Sequence, residues 1–421
     1  MLLALLIFAV IYIGMLALPR YRVWFALGGA ACMLVCGVLP WRSVPSAINW
    51  NVLLMIAGTM GIVSLFIETG MPSRLANLLL KKSPNACWAV VLLCVFSGVV
   101  SAFVDNVATV LMVAPVGLAI AKQLKISPVP VVISIAVSSN LQGAATLVGD
   151  TTSILLGDYA DMDFLDFLFM NGKFSIFWAV ELGALFTVPV LYALFRKCDA
   201  PVESDELPAV TDYFPTGLMI AVVLLLILAS FLPEKPEITN GLICMSLCIV
   251  GLVRACLRRR NLSAAKLVMK EMDFPTLGML LGIFIVVKGM EVAGVIDAIV
   301  GWFAAFSGGN LFALYTLIVL VSVILSAFID NIPYVAAMLP VVKSLSAVFS
   351  TEPLVLYFGL LIGATLGGNI TPFGASANLA GIGILRKEGF AVKNRDFFRV
   401  GIPFTLIAVL AGYGFVWLVW A

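Results

Sequence analysis

Histidine is absent from the 421 residues, and charge is scarce, with Asp, Glu, Lys and Arg together making 11% of the chain. The first absence excludes a histidine-ligated metal site and any histidine proton relay. The second excludes a water-soluble globule, because soluble domains carry roughly 25% charged residues. The eight cysteines form no CxxC pair. Cys32/Cys36 and Cys244/Cys248 do share the i, i+4 spacing that sets two thiols on one helix face. A thiolate site for a soft metalloid and plain packing of membrane helices both fit that spacing. Packing is preferred, since an isolated Cys behaves as a small hydrophobe.

What the chain has instead is oil: 62% hydrophobic residues and a mean hydropathy of +1.13. Apolar runs near twenty residues recur from end to end, which predicts a chain that lies in the bilayer throughout. The stretch Met1 to Leu18 lacks a basic leader and a small-residue cleavage site, so it reads as a retained first span. The net charge of +2 says less than its distribution. Lys and Arg gather at Arg20/Arg22, at Arg74–Lys82 with Lys122/Lys125, at Arg196/Lys197, at Arg254–Lys270 and at Arg386–Arg399. Arg42, Lys173, Lys235 and Lys343 are left for the other side, with Lys288 inside the membrane. The positive-inside rule then sets one topology, with both termini outside.

In that topology residues 87–121 enter and leave by one face, which predicts a re-entrant hairpin, and residues 311–342 do the same from the other face. The reading is an all-α polytopic membrane protein of two inverted-topology repeats, each of five spans plus one re-entrant hairpin. Repeat 1 covers 1–197, with a broken helix over 129–157. An acidic linker covers 198–213. Repeat 2 covers 214–421, with a broken helix over 354–385. Asp158, Asp161, Asp163 and Asp166 fall on the outer face, as a solvated acidic surface.

The strongest signal is a phrase that occurs twice at an offset of 225 residues: Ser101-Ala-Phe-Val-Asp105-Asn106-Val and Ser326-Ala-Phe-Ile-Asp330-Asn331-Ile. A carboxylate at mid-membrane costs about 2.5–3.5 kcal/mol on insertion scales. Asp105-Asn106 and Asp330-Asn331 therefore act as caps for the returning half-helices, as groups that bind a cation or proton, or as both. A second pair of breaks holds Gly143, Thr146, Gly149, Asp150, Thr151, Thr152 and Ser153 in the first half. Gly368, Asn369, Thr371, Pro372, Gly374, Ser376 and Asn378 match them in the second. Duplicated breaks of this kind point to a midplane binding site between repeats, where oxygens can hold Na⁺ and helix N-termini can face an anion. A glycine-rich packing seam is the structural alternative. Lys288 is the one basic group deep in the hydrocarbon, and a hairpin aspartate or Glu181 is its expected partner.

Ser138-Ser-Asn140-Leu-Gln-Gly143-Ala-Ala-Thr146-Leu-Val-Gly149-Asp150 is similar to the SN-x-GG-x-ATLIGDPPN element of the arsenite permease, sodium–proton antiporter and melanosomal P-protein group. Gly367-Gly368-Asn369-Ile-Thr371-Pro372-Phe-Gly374-Ala-Ser376-Ala-Asn378 resembles that group's GGN-x-T-x-x-GASAN element. The group belongs to the ion transporter superfamily, with the citrate and dicarboxylate carriers. The resemblance runs over about 50–195 and 274–420. It implies paired hairpins, two broken helices and an elevator-like transport domain, often in a homodimer. Thr151-Thr152-Ser153 departs from the group's Pro-Pro-Asn, which weakens a copied ligand set there.

The candidate site residues are Asp105, Asn106, Thr109, Asn140, Thr146, Gly149, Asp150, Thr151 and Ser153, with Asp330, Asn331, Tyr334, Asn369, Thr371, Gly374, Ser376 and Asn378 from the second half. Thr109/Tyr334 and Asp150/Ala375 are the mismatches between copies. The expected function is a secondary transporter in a bacterial-type cytoplasmic membrane. Its expected partners are the bilayer and a small inorganic ion or anion, without nucleic acid, and no cofactor beyond a coupling H⁺ or Na⁺. With three carboxylates near the cavity and no arginine in the membrane core, arsenite-type export leads. Na⁺/H⁺ antiport and Na⁺-coupled di- or tricarboxylate transport follow. A channel or a two-aspartate intramembrane enzyme is the reading from another class.

Overall fold

A computed structural model describes residues 1–198, 200, 208–232 and 235–421. Of the expected linker, positions 199 and 201–207 lie outside the described residues. The first half contains α1 (Leu2–Ala17), α2 (Arg22–Val35), α3 (Val44–Ala47), α4 (Trp50–Glu68), α5 (Met71–Lys81), α6 (Ala86–Ser101), α7 (Asn106–Gln123), α8 (Pro128–Gly143), α9 (Thr151–Tyr159) and α10 (Ile176–Phe195). The second contains α11 (Phe214–Ala229), α12 (Thr239–Arg259), α13 (Ser263–Glu271), α14 (Phe274–Val292), α15 (Val295–Ser307), α16 (Leu311–Ser326), α17 (Asn331–Val348), α18 (Leu354–Gly367), α19 (Ser376–Lys387) and α20 (Asn394–Trp420). Among the described residues seven helices are long and apolar enough to cross a membrane singly, while α1, α6, α11 and α18 are shorter apolar helices. The chain is a nearly all-helical, multi-pass membrane protein, with one two-stranded ribbon at 169–174.

The offset of 225 governs local structure as well as motif. The helices α6 and α16 share their bounds at that offset, and so do α7 and α17. The reason is duplicated punctuation. Asn85 and Asn310 cap α6 and α16 through their side chains, and Asp105 and Asp330 cap α7 and α17. Such caps satisfy N–H groups that lipid cannot. Pro115 and Pro340 lie at matching points inside α7 and α17. Every predicted span coincides with one helix or, at 129–157 and 354–385, with a broken pair.

Packing is reciprocal too. α4 lies on α12 as α14 lies on α2, while α7 meets α19 as α17 meets α9. The first two contacts are close backbone approaches at glycine. A Cβ on Gly58 would come within 2.4 Å of the Cys244 backbone, and one on Gly282 within 2.6 Å of Ala26. Small residues permit such approaches between membrane helices. Gly61 presses likewise on the Cys248 sulfur, so Cys244 and Cys248 are packing residues.

Four helices escape the sequence reading. α3, α5, α13 and α15 are too short to span; α5 and α13 are amphipathic, whereas α15 is apolar but only 13 residues long. α15 meets α16 at 118°. The described end of the linker is fastened to α12: Arg254 and Arg258 each lie 2.6 Å from Asp212. Burial pushes the Asp212 carboxyl up, but the hydrogen bonds from Arg254, the Phe214 backbone and Arg258 outweigh it and hold the group at about 2.

Candidate substrate and ion site

Both hairpin tips place their aspartate at the start of the returning helix. Asp105 Oδ1 accepts from the backbone N–H of Val107 (3.0 Å) and Ala108 (3.2 Å). Asp330 Oδ1 accepts from that of Ile332 (3.4 Å). The capping role is present in both copies. They differ in their other partners. Arg22 Nη1, from the first residue of α2, lies 2.7 Å from Asp330 Oδ2, and Ser376 Oγ donates to the same oxygen at 2.8 Å. Asp105 has no ion pair among the described residues, and Leu247 occupies the position equivalent to Arg22.

Two sequence expectations are corrected here. An arginine does reach the polar core, because the long Arg22 stem lets a residue at a span end place its guanidinium inward. Lys288 pairs with Glu291 at 2.9 Å, and both are exposed. Neither a hairpin aspartate nor Glu181 is its partner, since a carboxylate three residues along the same helix face meets it locally. Glu181 instead accepts from Gln142 Nε2 at 3.3 Å.

Behind the tips the two breaks are tied down by matching bonds. Thr146 donates to the Ala102 carbonyl and Thr371 to the Ala327 carbonyl. Ser101 Oγ lies 2.9 Å from Asn106 Oδ1, and the single Ser139 hydroxyl lies 3.0 Å from Ser101 Oγ and 3.2 Å from the Asn106 carbonyl oxygen. In the second copy Ser326 donates to the Ala364 carbonyl. Asn331 therefore presents its amide nitrogen to Ser326 Oγ at 2.6 Å and to the Gly374 carbonyl at 3.2 Å. Asn140 joins the halves: its Nδ2 donates to Asn369 Oδ1 (2.7 Å) and Asn378 Oδ1 (3.0 Å). Asn378 Nδ2 in turn donates to the Gly368 and Thr371 carbonyls, and Ser153 Oγ donates to the Gly143 carbonyl at 3.2 Å.

Gly149 and Gly374 sit in nests of oxygen. A Cβ at Gly149 would lie 2.5 Å from the Gly143 carbonyl oxygen, 2.8 Å from that of Ser101 and 2.9 Å from that of Ala102. At Gly374 the corresponding oxygens are those of Gly368 (2.6 Å) and Ser326 (2.7 Å). Since the clashing atoms are backbone, Gly149→Ala and Gly374→Ala should each destabilise by about 1–3 kcal/mol. Gly414→Ala, with no atom within 4 Å of the added methyl, should be neutral or mildly stabilising. Thermal unfolding of the three variants in detergent checks this, and equal midpoints for all three would refute the close-contact argument.

A cavity of about 330 Å³ opens beside these elements. Asp105, Val107, Ala108, Thr151, Ile332 and Ser376 line it, so the first turns of α7, α9, α17 and α19 face one space. Of the predicted residues, Asp105, Thr151 and Ser376 are on its wall. Asn106, Asn140, Thr146, Gly149, Ser153, Asn331, Asn369, Thr371, Gly374 and Asn378 are not; the contacts above make them the buried frame behind it. Asp150 is also buried and accepts from Thr152 Oγ1 at 2.9 Å. Thr109 is spent on the Val104 carbonyl (3.4 Å) and Tyr334 on Ser322 Oγ (3.0 Å). Neither lines the cavity.

Glu68, which reads in the sequence as a span-end charge, and Glu271 and Asp273, which sequence reading missed, also line it. Glu68 is paired with Arg259 at 2.6 Å. The available signal was their position at the ends of α4 and α13 and the start of α14. A second cavity, about 520 Å³, lies at the opposite ends of α4 and α14, between Asn49–Asn51, Asp158 and Lys288. Asp158 is thus no freely solvated surface group, for Asn49 and Asn51 both donate to it, the latter at 3.0 Å. Asp163 is likewise bound, by Lys235.

A bundle of apolar spans with paired, capped breaks around a polar cavity defines a membrane transporter. The chain matches the model of the CitMHS citrate transporter family over residues 3–356 and 244–421, and it belongs to that family. An uncharacterized transporter of Mycobacterium tuberculosis is 30% identical, covering 99% of this chain and 97% of that one. The P protein of Sus scrofa is 26% identical over 92% of this chain, which spans 55% of the P protein's length. Among solved structures, the Alcanivorax borkumensis YdaH transporter superposes with a TM-score of 0.58 at 13% identity, covering 89% of this chain and 87% of that one. Neisseria gonorrhoeae MtrF does so with a TM-score of 0.58 at 17% identity, covering 87% and 80%. Those two likenesses concern the fold alone.

Proposed function

We propose that the protein is a cation-coupled secondary carrier of a small carboxylate anion. The observation that carries this is the convergence of four helix N-termini on the cavity beside the unpaired Asp105. Positive helix ends favour an anion, while Asp105 on the cavity wall suits a proton or Na⁺. Membership of a citrate transporter family supports a di- or tricarboxylate as cargo. The preference for arsenite drawn from sequence rested on carboxylates near the cavity and on the lack of a core arginine; Arg22 removes the second premise, although it is paired with Asp330 and stands off the cavity wall.

In this reading the two repeats are inverted, with both termini outside the cytoplasmic membrane. The smaller cavity faces the cytoplasm and the larger one faces out. The frame α2, α4, α12 and α14 carries the hairpins and broken helices past it, elevator-fashion, in a homodimer. Cavities at opposite ends of α4 and α14 support alternating access over an open pore.

The metalloid reading keeps one specific support: among the described residues no Lys or Arg lines the smaller cavity, which suits a neutral hydroxide such as As(OH)₃ or a cation. Counterflow in proteoliposomes decides among these. Citrate on the trans side should accelerate labelled citrate entry severalfold under an imposed Na⁺ or pH gradient. Acceleration by arsenite alone would select the metalloid carrier. Na⁺-driven proton movement without either would select the antiporter, and flux without trans-acceleration would select a pore.

A further inference from the structure

A third cavity, about 190 Å³, lies away from the hairpin tips among α6, α8 and α10. Cys94, Ser138, Gln142, Glu181, Thr187 and Phe404 are the lining residues that matter. Gln142 is 4% exposed, and its Oε1 has no hydrogen-bond partner. Its Nε2 makes only the 3.3 Å bond to Glu181 Oε2. A buried acceptor left without a donor is rare and calls for an explanation.

Among the described residues no counter-charge serves Glu181. Around the cavity α6 presents the Cys94 thiol, α8 presents Ser138 and Gln142, and α20 presents Phe404. Among the described residues no Lys or Arg lines it. An intramembrane carboxylate without a counter-charge is a functional group by default.

The second repeat supplies a natural comparison. Val319, Gly363, Gly367, Leu406 and Gly412 stand where Cys94, Ser138, Gln142, Glu181 and Thr187 stand in the first. There α18 packs directly on α16: a Cβ on Gly363 would lie 2.8 Å from the Val319 carbonyl oxygen, and one on Gly367 2.6 Å from that of Val323. In the first repeat the Gln142 amide occupies this seam, over Gly98, whose added Cβ would lie 2.8 Å from Gln142 Oε1. One copy is closed and apolar, and the other holds a carboxyl, an amide and a space.

We propose that Glu181 and Gln142 form a proton-binding site within the membrane, distinct from the cavity at the hairpin tips. Glu181 takes up one H⁺ from the aqueous phase to become a carboxylic acid. The Gln142 amide turns about its terminal bond, and the new O–H donates to Oε1, which gains the donor it lacks. Release of H⁺ restores the carboxylate and the Nε2 contact. In a cation-coupled carrier this supplies a proton load that Asp105 does not have to carry. That use rests on the carrier reading, whereas the site itself does not.

The test is infrared difference spectroscopy of the full-length protein in liposomes, acid minus alkaline pH. Wild type should show a protonated-carboxyl C=O band that titrates, and Glu181→Gln should lose it. Gln142→Leu should keep the band but shift its frequency and midpoint, because the acceptor is gone. Glu181→Leu, the residue of the second repeat, repeats the loss if the Gln variant does not fold. Spectra of Glu181→Gln or Glu181→Leu that superimpose on wild type would overturn the proposal, as would a Gln142→Leu band identical to the native one. Failed citrate counterflow would leave this site standing, and a missing band would leave the carrier standing.

Discussion

Arg22→Gln is expected to destabilise the protein by about 3–5 kcal/mol, the range for removing one partner of a buried ion pair. The Arg22 and Asp330 side chains are 14% and 6% exposed, and 2.7 Å separates them. Without the guanidinium, the Asp330 carboxylate keeps only the Ser376 hydroxyl and one long backbone contact. Asp330→Asn keeps a capping side chain but leaves the Arg22 guanidinium without its carboxylate; because the long arginine stem can swing that charge toward water, it should cost less. The double variant Arg22→Gln/Asp330→Asn should then recover most of the stability lost by Arg22→Gln. Thermal unfolding of the three variants in one detergent measures this cycle. A double variant no more stable than Arg22→Gln would mean that the pair is not what holds the tip. The same substitution should loosen α1 as well, since Tyr12 donates to the Pro333 carbonyl at 2.5 Å beside it.

Asp105→Asn should have the opposite profile, with stability nearly unchanged and coupled transport reduced roughly 100-fold, which equals about 2.7 kcal/mol. Asn caps a helix about as well as Asp, so the bonds from Val107 and Ala108 survive. What disappears is the unpaired charge on the cavity wall. A unit charge about 4 Å from a bound cation is worth about 4 kcal/mol at an effective dielectric of 20, enough for the expected loss. Asp330→Asn should affect cation dependence far less, because Arg22 already neutralises that carboxylate. Initial rates of citrate counterflow against Na⁺ concentration and pH test the contrast. Equal losses in the two variants would show that the asymmetry between the tips is without consequence for coupling.

Much of this arrangement is legible in the chain because duplicated punctuation is local. Asp105-Asn106 and Asp330-Asn331 announce both a cap and a tip within two residues, and the paired Gly and Thr breaks announce the interrupted helices. Residue contacts across 300 positions carry no such period. Arg22 reads as a loop charge until folding brings the start of α2 within reach of the second hairpin tip. Lys288 reads as a lone buried cation because hydropathy does not tell an exposed helix end from a buried one. Thr109 and Tyr334 stand at the mismatched positions that suggest specificity, yet each side chain faces a neighbour within its own hairpin. Glu271 and Asp273 reach the cavity mouth because the amphipathic α13 folds back toward α4, and helices of that length leave no hydropathy signal.

The three asparagines at the centre carry a mechanical consequence. Asn140 grips Asn369 and Asn378 at once, and Asn369 Nδ2 reaches back to the Val137 carbonyl at 3.1 Å. A clasp of neutral amides, made in both directions between copies, leaves the two broken helices no freedom to slide separately without stranding donors where water cannot replace them. The paired tips are therefore two jaws on one block rather than two independent binding sites. In the carrier proposed above, such a block would move its two breaks together in a single stroke.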